Sequence, residues 1–178
     1  DGSPIPGVYV DRNADGIVNE ADKYLFHKPA ADYTFGLNTS FSYKNWTLAV
    51  SGHGALGNWL YNNVESENYK LVDLWTNSFV SNRVNGALEA GQSAGQFYSD
   101  MFVQDASFFK VDNVTLNYNI PTIFRSGDRA LGANIFATCQ NCFTFTDYSG
   151  IDPEIFSGID GYIYPRPRTF ILGVKLNF

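Results

Sequence analysis

From Phe170 to the last residue, apolar side chains fall on every second position: Phe170, Leu172, Val174, Leu176 and Phe178. Ile171, Gly173, Lys175 and Asn177 lie between them. A period of two puts the first set on one face of a β-strand and the second on the other. A regular apolar edge strand is a liability in a soluble sheet. A strand that must pair with a first strand to close a membrane barrel has this form, and the chain is expected to end on such a strand.

The alternation recurs upstream. In 33–43, Tyr33, Phe35, Leu37, Phe41 and Tyr43 share a face, interrupted only by Thr39. In 46–56 the apolar set is Trp46, Leu48, Val50 and Leu56. In 108–121 it is Val114, Leu116, Tyr118 and Ile120, and Pro121 is expected to end the strand. In 129–146 it is Leu131, Ala133, Ile135, Ala137, Phe143 and Phe145. Each stretch puts Asn, Ser and Thr on its other face. At about 3.3 Å per residue and a tilt of about 45°, the first of these stretches spans about 25 Å, the height of a barrel's apolar band. The periodicity predicts that Phe35, Leu48, Leu116, Ile135 and Leu172 point to lipid. It turns Asn38, Ser51, Thr115, Asn134 and Lys175 to an interior.

The connections alternate in length. Lys44-Asn45 and roughly 121–128 are short; 57–105 and 147–166 are long. Outer-membrane barrels have short periplasmic turns and long external loops. Counting back from the end places 1–32, 57–105 and 147–166 outside. The middle loop loses the alternation, and Val72, Trp75 and Phe79 suggest a short amphipathic helix there. About five strands cannot close a barrel, which needs about eight. Leaving about twenty large apolar side chains in water would forfeit tens of kcal/mol. The chain is therefore expected to be the C-terminal part of a longer protein.

Composition narrows the class. Aromatics make up 16% and charged residues 17% of 178 residues, a mix suited to lipid-facing strands. No run of about 18 apolar residues codes for a membrane helix, which leaves a barrel open. A net charge of −6 argues against a nucleic-acid partner.

The external segment 1–32 contains DRNADGIVNEAD. Asp11, Asn13 and Asp15 are spaced by two, Gly16 follows, and Ile17, Asn19 and Asp22 complete the spacing of EF-hand and dockerin calcium loops. A hard cation takes six or more oxygens at about 2.3–2.6 Å, and a tight loop supplies them from alternate residues. The expected site is one structural calcium held by Asp11, Asn13, Asp15, Asn19 and Asp22 with the Ile17 carbonyl. The plainer reading is an Asx-rich turn without metal.

Four segments together resemble the C-terminal end of SusC/RagA-type TonB-dependent outer-membrane transporters. They are DRNADGIVNEAD with YTFGLNTSFSYKNWTLAV, ASFFKVDNVTLNYNIP, ANIFATCQNCFTFTDYSGIDPEI, and GIDGYIYPRPRTFILGVKLNF. YSGIDPE and YPRPRTF are the most specific. The resemblance implies an all-β fold: the last strands of an antiparallel transmembrane barrel of about 22 strands, with a plug that lies outside this chain. It implies energised import of oligosaccharides or peptides through TonB, with a SusD-like surface lipoprotein as partner, in the bacterial outer membrane. It implies no enzyme activity. The competing reading is a secreted calcium-containing β-sandwich that binds carbohydrate, since sandwiches alternate too.

Other constellations have plainer readings. Cys139 and Cys142 form CxxC, but residues three apart in a strand point to opposite faces, so they read as structural cysteines. Asp152 and Glu154 could be a glycosidase pair, yet in a Gly/Pro loop they read as turn and capping residues. His27 and His53 have no nucleophile beside them in sequence and read as solvated or interior-lining. Trp59, Tyr61 and Trp75, in or beside the long loop, are the candidates for substrate or lid contact.

Overall fold

The computed structural model describes residues 8–70, 87, 98–126, 129–161 and 163–177. They fall into two compact units, each built from three stretches of chain.

One unit is a five-stranded antiparallel sheet: β1 (Tyr33–Tyr43), β2 (Trp46–Leu56), β5 (Phe108–Ser126), β6 (Arg129–Thr146) and β7 (Thr169–Asn177), in that spatial order. Each long strand pairs with its neighbour in sequence among these five, so the sheet is a plain meander. The expected strand boundaries hold for β1, β2 and β6. The Lys44-Asn45 turn also holds, with Lys44 in the left-handed region at φ 53°.

β5 departs from expectation. It runs through Pro121 to Ser126. Its pairing with β6 slips between Ile120 and Phe124. A proline lacks the N–H that a regular ladder requires, and an irregularity is where a strand can absorb that loss.

The register aligns like with like across the whole sheet. One row reads Tyr43, Trp46, Tyr118, Ile135, Val174; the next on the same face reads Phe41, Leu48, Leu116, Ala137, Leu172. On the other face a row reads Ser40, Ala49, Thr115, Thr138, Ile171, and another Asn38, Ser51, Asn113, Gln140, Thr169. Phe136 sits on this polar face, and its ring lies where a side chain at Gly173 would stand. Large side chains of the apolar face are exposed: Leu172 is 83% exposed and Phe170 74%.

The second unit comprises 1–31, 57–106 and 148–163. It holds a small antiparallel pair the sequence did not reveal, β3 (Trp59–Tyr61) with β4 (Val103–Asp105), and a short helix α1 (Asn63–Asn68) capped by Asn62. Its core is Leu60, Ala106 and Tyr148, with Ile155 packed against them. Val72, Trp75 and Phe79, where a helix was expected, lie outside the described residues.

Candidate functional site

The sheet presents two chemically distinct faces, and the apolar one carries aromatic rows at two levels. Tyr43, Trp46 and Tyr118 form one, with the Trp46 and Tyr118 rings 4.5 Å apart. Phe35, Phe109 and Phe145 form the other, stacked at 5.9 and 6.4 Å. Gly54 lies between Phe35 and Phe109 in register, and a Cβ there would stand 2.6 Å from the Phe35 ring and 2.7 Å from the Phe108 carbonyl. Only glycine lets the ring cross. Along β2 the rows are separated by Trp46 to Gly54, about 26 Å of strand, or about 19–22 Å of height at a tilt of 35–45°. That approaches the roughly 25 Å apolar band between the aromatic girdles of an outer-membrane barrel. Phe35, Leu48, Leu116, Ile135 and Leu172, the residues expected to face lipid, are all exposed on this face.

The opposite face is built from short polar side chains that bond to one another. Ser42 and Thr47 hydroxyls lie 3.1 Å apart, Thr115 and Thr138 hydroxyls 2.9 Å. Near the far end of β2, the pairing of β2 with β5 slips between Ser51 and Gly52, and Asp112 is the extra residue of β5. Its carboxylate meets His53 Nδ1 at 2.7 Å. Lys110, opposite His53 in register, is buried. The sequence offers no signal for this bulge, so the pairing of His53 with Asp112 could not be read from it.

In the second unit the expected calcium residues do gather into one loop. Asp11 Oδ2 accepts from Gly16 N at 2.7 Å, and Asp15 Oδ1 from Ile17 N at 2.8 Å. Asn13 Oδ1 accepts from Asp15 N at 3.0 Å, and Asn19 donates to the Ile17 carbonyl at 3.1 Å. Asp22 closes the loop. Its carboxylate accepts from Asn19 N and Arg12 N, both at 2.8 Å, and from Asn13 N at 3.4 Å. The Asn19 and then the Arg12 amide hold the Asp22 carboxyl below the usual carboxylate range. Two observations bear on a metal. Asp11 Oδ1 is buried without a hydrogen-bond partner, and the Asp11 and Asp22 carboxyl groups lie side by side. Against that, among the described residues no three His, Cys, Asp or Glu side chains converge as a cage. The residues thus fit a cation only as a loop that also uses amide and carbonyl oxygens.

The segment YSGIDPE gains a structural role. The Tyr148 hydroxyl donates to Asp160 Oδ2 at 2.7 Å, and both residues are buried. Burial, then this bond to Asp160, push the phenol far above its ordinary range. Asp152 Oδ1 accepts from Glu154 N at 2.9 Å, a turn of the expected kind. Asn58 donates to the Ala106 and Pro153 carbonyls. Of the substrate candidates, Tyr61 is buried, its hydroxyl bonded to Ser66 Oγ and to Tyr98 N. Trp59 has one face stacked on His27 at 3.6 Å, with 3° between the planes. Trp75 lies outside the described residues.

No family model matches the chain. Individual proteins do. The chain is 38% identical over 181 residues to the TonB-dependent receptor SusC of Bacteroides thetaiotaomicron, covering 99% of this chain and 18% of that protein. It is 29% identical over 192 residues to the TonB-dependent receptor P26 of Formosa agariphila, covering 96% of the chain and 19% of the relative. The chain thus spans under a fifth of the length of these relatives. Among solved structures, the RagAB peptide importer in its open-open state aligns with a TM-score of 0.66 at 25% identity, over 85% of this chain and 18% of that one. The closed-closed state aligns over 98% of this chain and 21% of that one with a TM-score of 0.70 at 21% identity, a likeness of fold.

Proposed function

Because this chain is, in sequence and in fold, a segment of a SusC/RagA-type TonB-dependent outer-membrane transporter, we infer that it forms part of the wall of a nutrient importer. The observation that carries the reading is the match to SusC along nearly the whole chain. The two-faced sheet supports it. The apolar face meets lipid, and the ladder of Asn, Ser and Thr lines the path of a polar solute. Oligosaccharides or peptides are the cargo, a SusD-like surface lipoprotein is the partner, and TonB supplies the energy through a region outside this chain. No catalytic step is assigned. A secreted sandwich is not favoured, because the likeness to SusC runs along nearly the whole chain.

The test is uptake. Deleting the gene should abolish accumulation of a labelled oligosaccharide or oligopeptide that the wild-type bacterium takes up, and collapsing the proton-motive force should do the same. Undiminished accumulation of every such cargo in the deletion strain would refute the reading. Copurification with a surface lipoprotein tests the partner.

The Asp11–Asp22 loop is the proposed calcium site. The Asp11, Asp15 and Asp22 carboxylates, within twelve residues, repel one another, Asp11 Oδ1 has no hydrogen-bond donor, and a cation offsets both. Its role is structural, holding an external loop. Calcium should slow proteolysis within 11–22, and Asp15→Ala should remove that protection while leaving the sheet intact. Equal cleavage with and without calcium would exclude the site.

A further inference from the structure

We propose that Cys139 and Cys142 are an oxidisable dithiol that closes to a disulfide across a bulge in β6. The inference rests on outer-membrane placement and is independent of what is transported. In a regular strand these residues would point to opposite faces. Here the register breaks: Asn113 pairs with Gln140 and Val111 with Phe143, so Asp112 alone opposes both Asn141 and Cys142. Asn141 takes a left-handed conformation, φ 52°, which asparagine tolerates better than most residues. Its side chain is tied down, Nδ2 donating to the Pro167 carbonyl at 3.0 Å.

The bulge turns Cys142 back over Cys139. The Cys142 thiol donates to the Cys139 carbonyl at 3.0 Å, which sets its sulfur against the residue it would bond to. Both cysteines are free in this structure. A metal reading would need further ligands, and among the described residues no cluster of three His, Cys, Asp or Glu exists. A protein of the outer membrane passes through the oxidising periplasm, where disulfides form and persist.

The two sulfurs differ in access. Cys139 is partly exposed and Cys142 is 1% exposed. Cys139 is on the apolar face, in register with Val114 and Phe170, so the exchange belongs to the periplasmic stage, before that face meets lipid: Cys139, as thiolate, attacks a sulfur of an external disulfide, either a protein oxidant or a small-molecule disulfide, and releases one thiolate. Cys142, as thiolate, then attacks Cys139 in the mixed disulfide and releases the second. The protein's two thiols give up two electrons and two protons. The oxidant's disulfide is reduced to two thiols. Burial of Cys142 is no obstacle, because the resolving step is internal.

The test uses the full-length protein in outer membranes of the bacterium that makes it. Samples are quenched in acid and denatured in detergent, so that access plays no part, and free thiols are blocked with N-ethylmaleimide. They are then reduced and labelled with a second alkylating reagent. Mass spectrometry of the peptide carrying both cysteines should find no maleimide and two copies of the second label. Without reduction, the same peptide should be two hydrogens lighter than the dithiol. Cys139→Ser should leave Cys142 fully blocked by maleimide. Two maleimides on the wild-type peptide, or a link from either cysteine to another peptide, would overturn the proposal.

Discussion

Arginine placed at Val50 and at Ala49 should have opposite consequences, although the two residues are adjacent. Val50 lies on the apolar face, in register with Thr39 and Val114, four residues from Trp46 and four from Gly54. It is therefore midway between the two aromatic levels, about 10 Å from each. A cation on the lipid face of a barrel costs about 2–4 kcal/mol at the midplane and about 0–1 near the interfaces. At about 1.4 kcal/mol per factor of ten, Val50→Arg should lower the folding equilibrium constant by roughly 30- to 700-fold. Ala49 points the other way, in the row with Ser40, Thr115 and Thr138. Arginine there reaches a polar interior and should cost a few tenths of a kcal/mol, in the ordinary range of a solvated substitution. Trp46→Arg, at the aromatic level, should lie between them. Urea unfolding of the full-length protein in lipid vesicles, followed by intrinsic fluorescence, measures all three. An Ala49→Arg penalty equal to or above that of Val50→Arg would refute the assignment of faces.

Gly54→Ala should destabilise the sheet by about 1–3 kcal/mol in the same assay, since the added Cβ meets the Phe35 ring and the Phe108 carbonyl and the backbone must shift. Tyr148→Phe removes the one hydrogen bond that reaches buried Asp160 Oδ2 from Tyr148, costing about 1–3 kcal/mol, read as faster amide exchange in 148–160. Because the folded phenol holds its proton more tightly than the unfolded one, that contribution is complete below about pH 10 and declines as pH rises further. Ultraviolet titration should accordingly find a tyrosine that stays protonated at high pH in the wild type and is missing from Tyr148→Phe. Asp22 has the opposite sign: its folded pKa is depressed, so its hold on the 11–22 loop is present above about pH 4 and is lost as pH falls through the folded value. Proteolysis within the loop should rise on acidification, and Asp22→Ala should reproduce that state at neutral pH.

The strands were readable because alternation is a local code: each of β1, β2, β5, β6 and β7 carries its own period of two. Where the code was interrupted, the reading failed. Pro121 signalled an end, but the irregular pairing beyond Ile120 lets β5 continue. A regular strand would send the two cysteines of the CxxC to opposite faces. The left-handed Asn141 and its bond to Pro167 go with a bend that takes the Cys142 thiol to the Cys139 carbonyl, and that depends on a segment 26 residues further along the chain. Tyr148 and Asp160 were visible only as parts of a family-like motif. Their mutual burial depends on Leu60 and Ala106, which belong to a distant stretch that carries no alternation. The calcium spacing was legible as a loop, and the loop formed. Whether its oxygens turn toward an ion depends on charge balance that hydrogen bonds partly supply instead.

The most direct test of the wall is a nitroxide scan along β2, one label at a time from Trp46 to Ser51, in full-length protein with Cys139 and Cys142 replaced by serine and any other cysteines likewise. In native outer membranes, collision with oxygen, which concentrates in lipid, should peak at Leu48 and Val50. Collision with a water-soluble nickel chelate should peak at Thr47, Ala49 and Ser51, out of phase by one residue. Oxygen and chelate profiles that rise and fall together, or low collision with both along the apolar face, would contradict a lipid-facing wall.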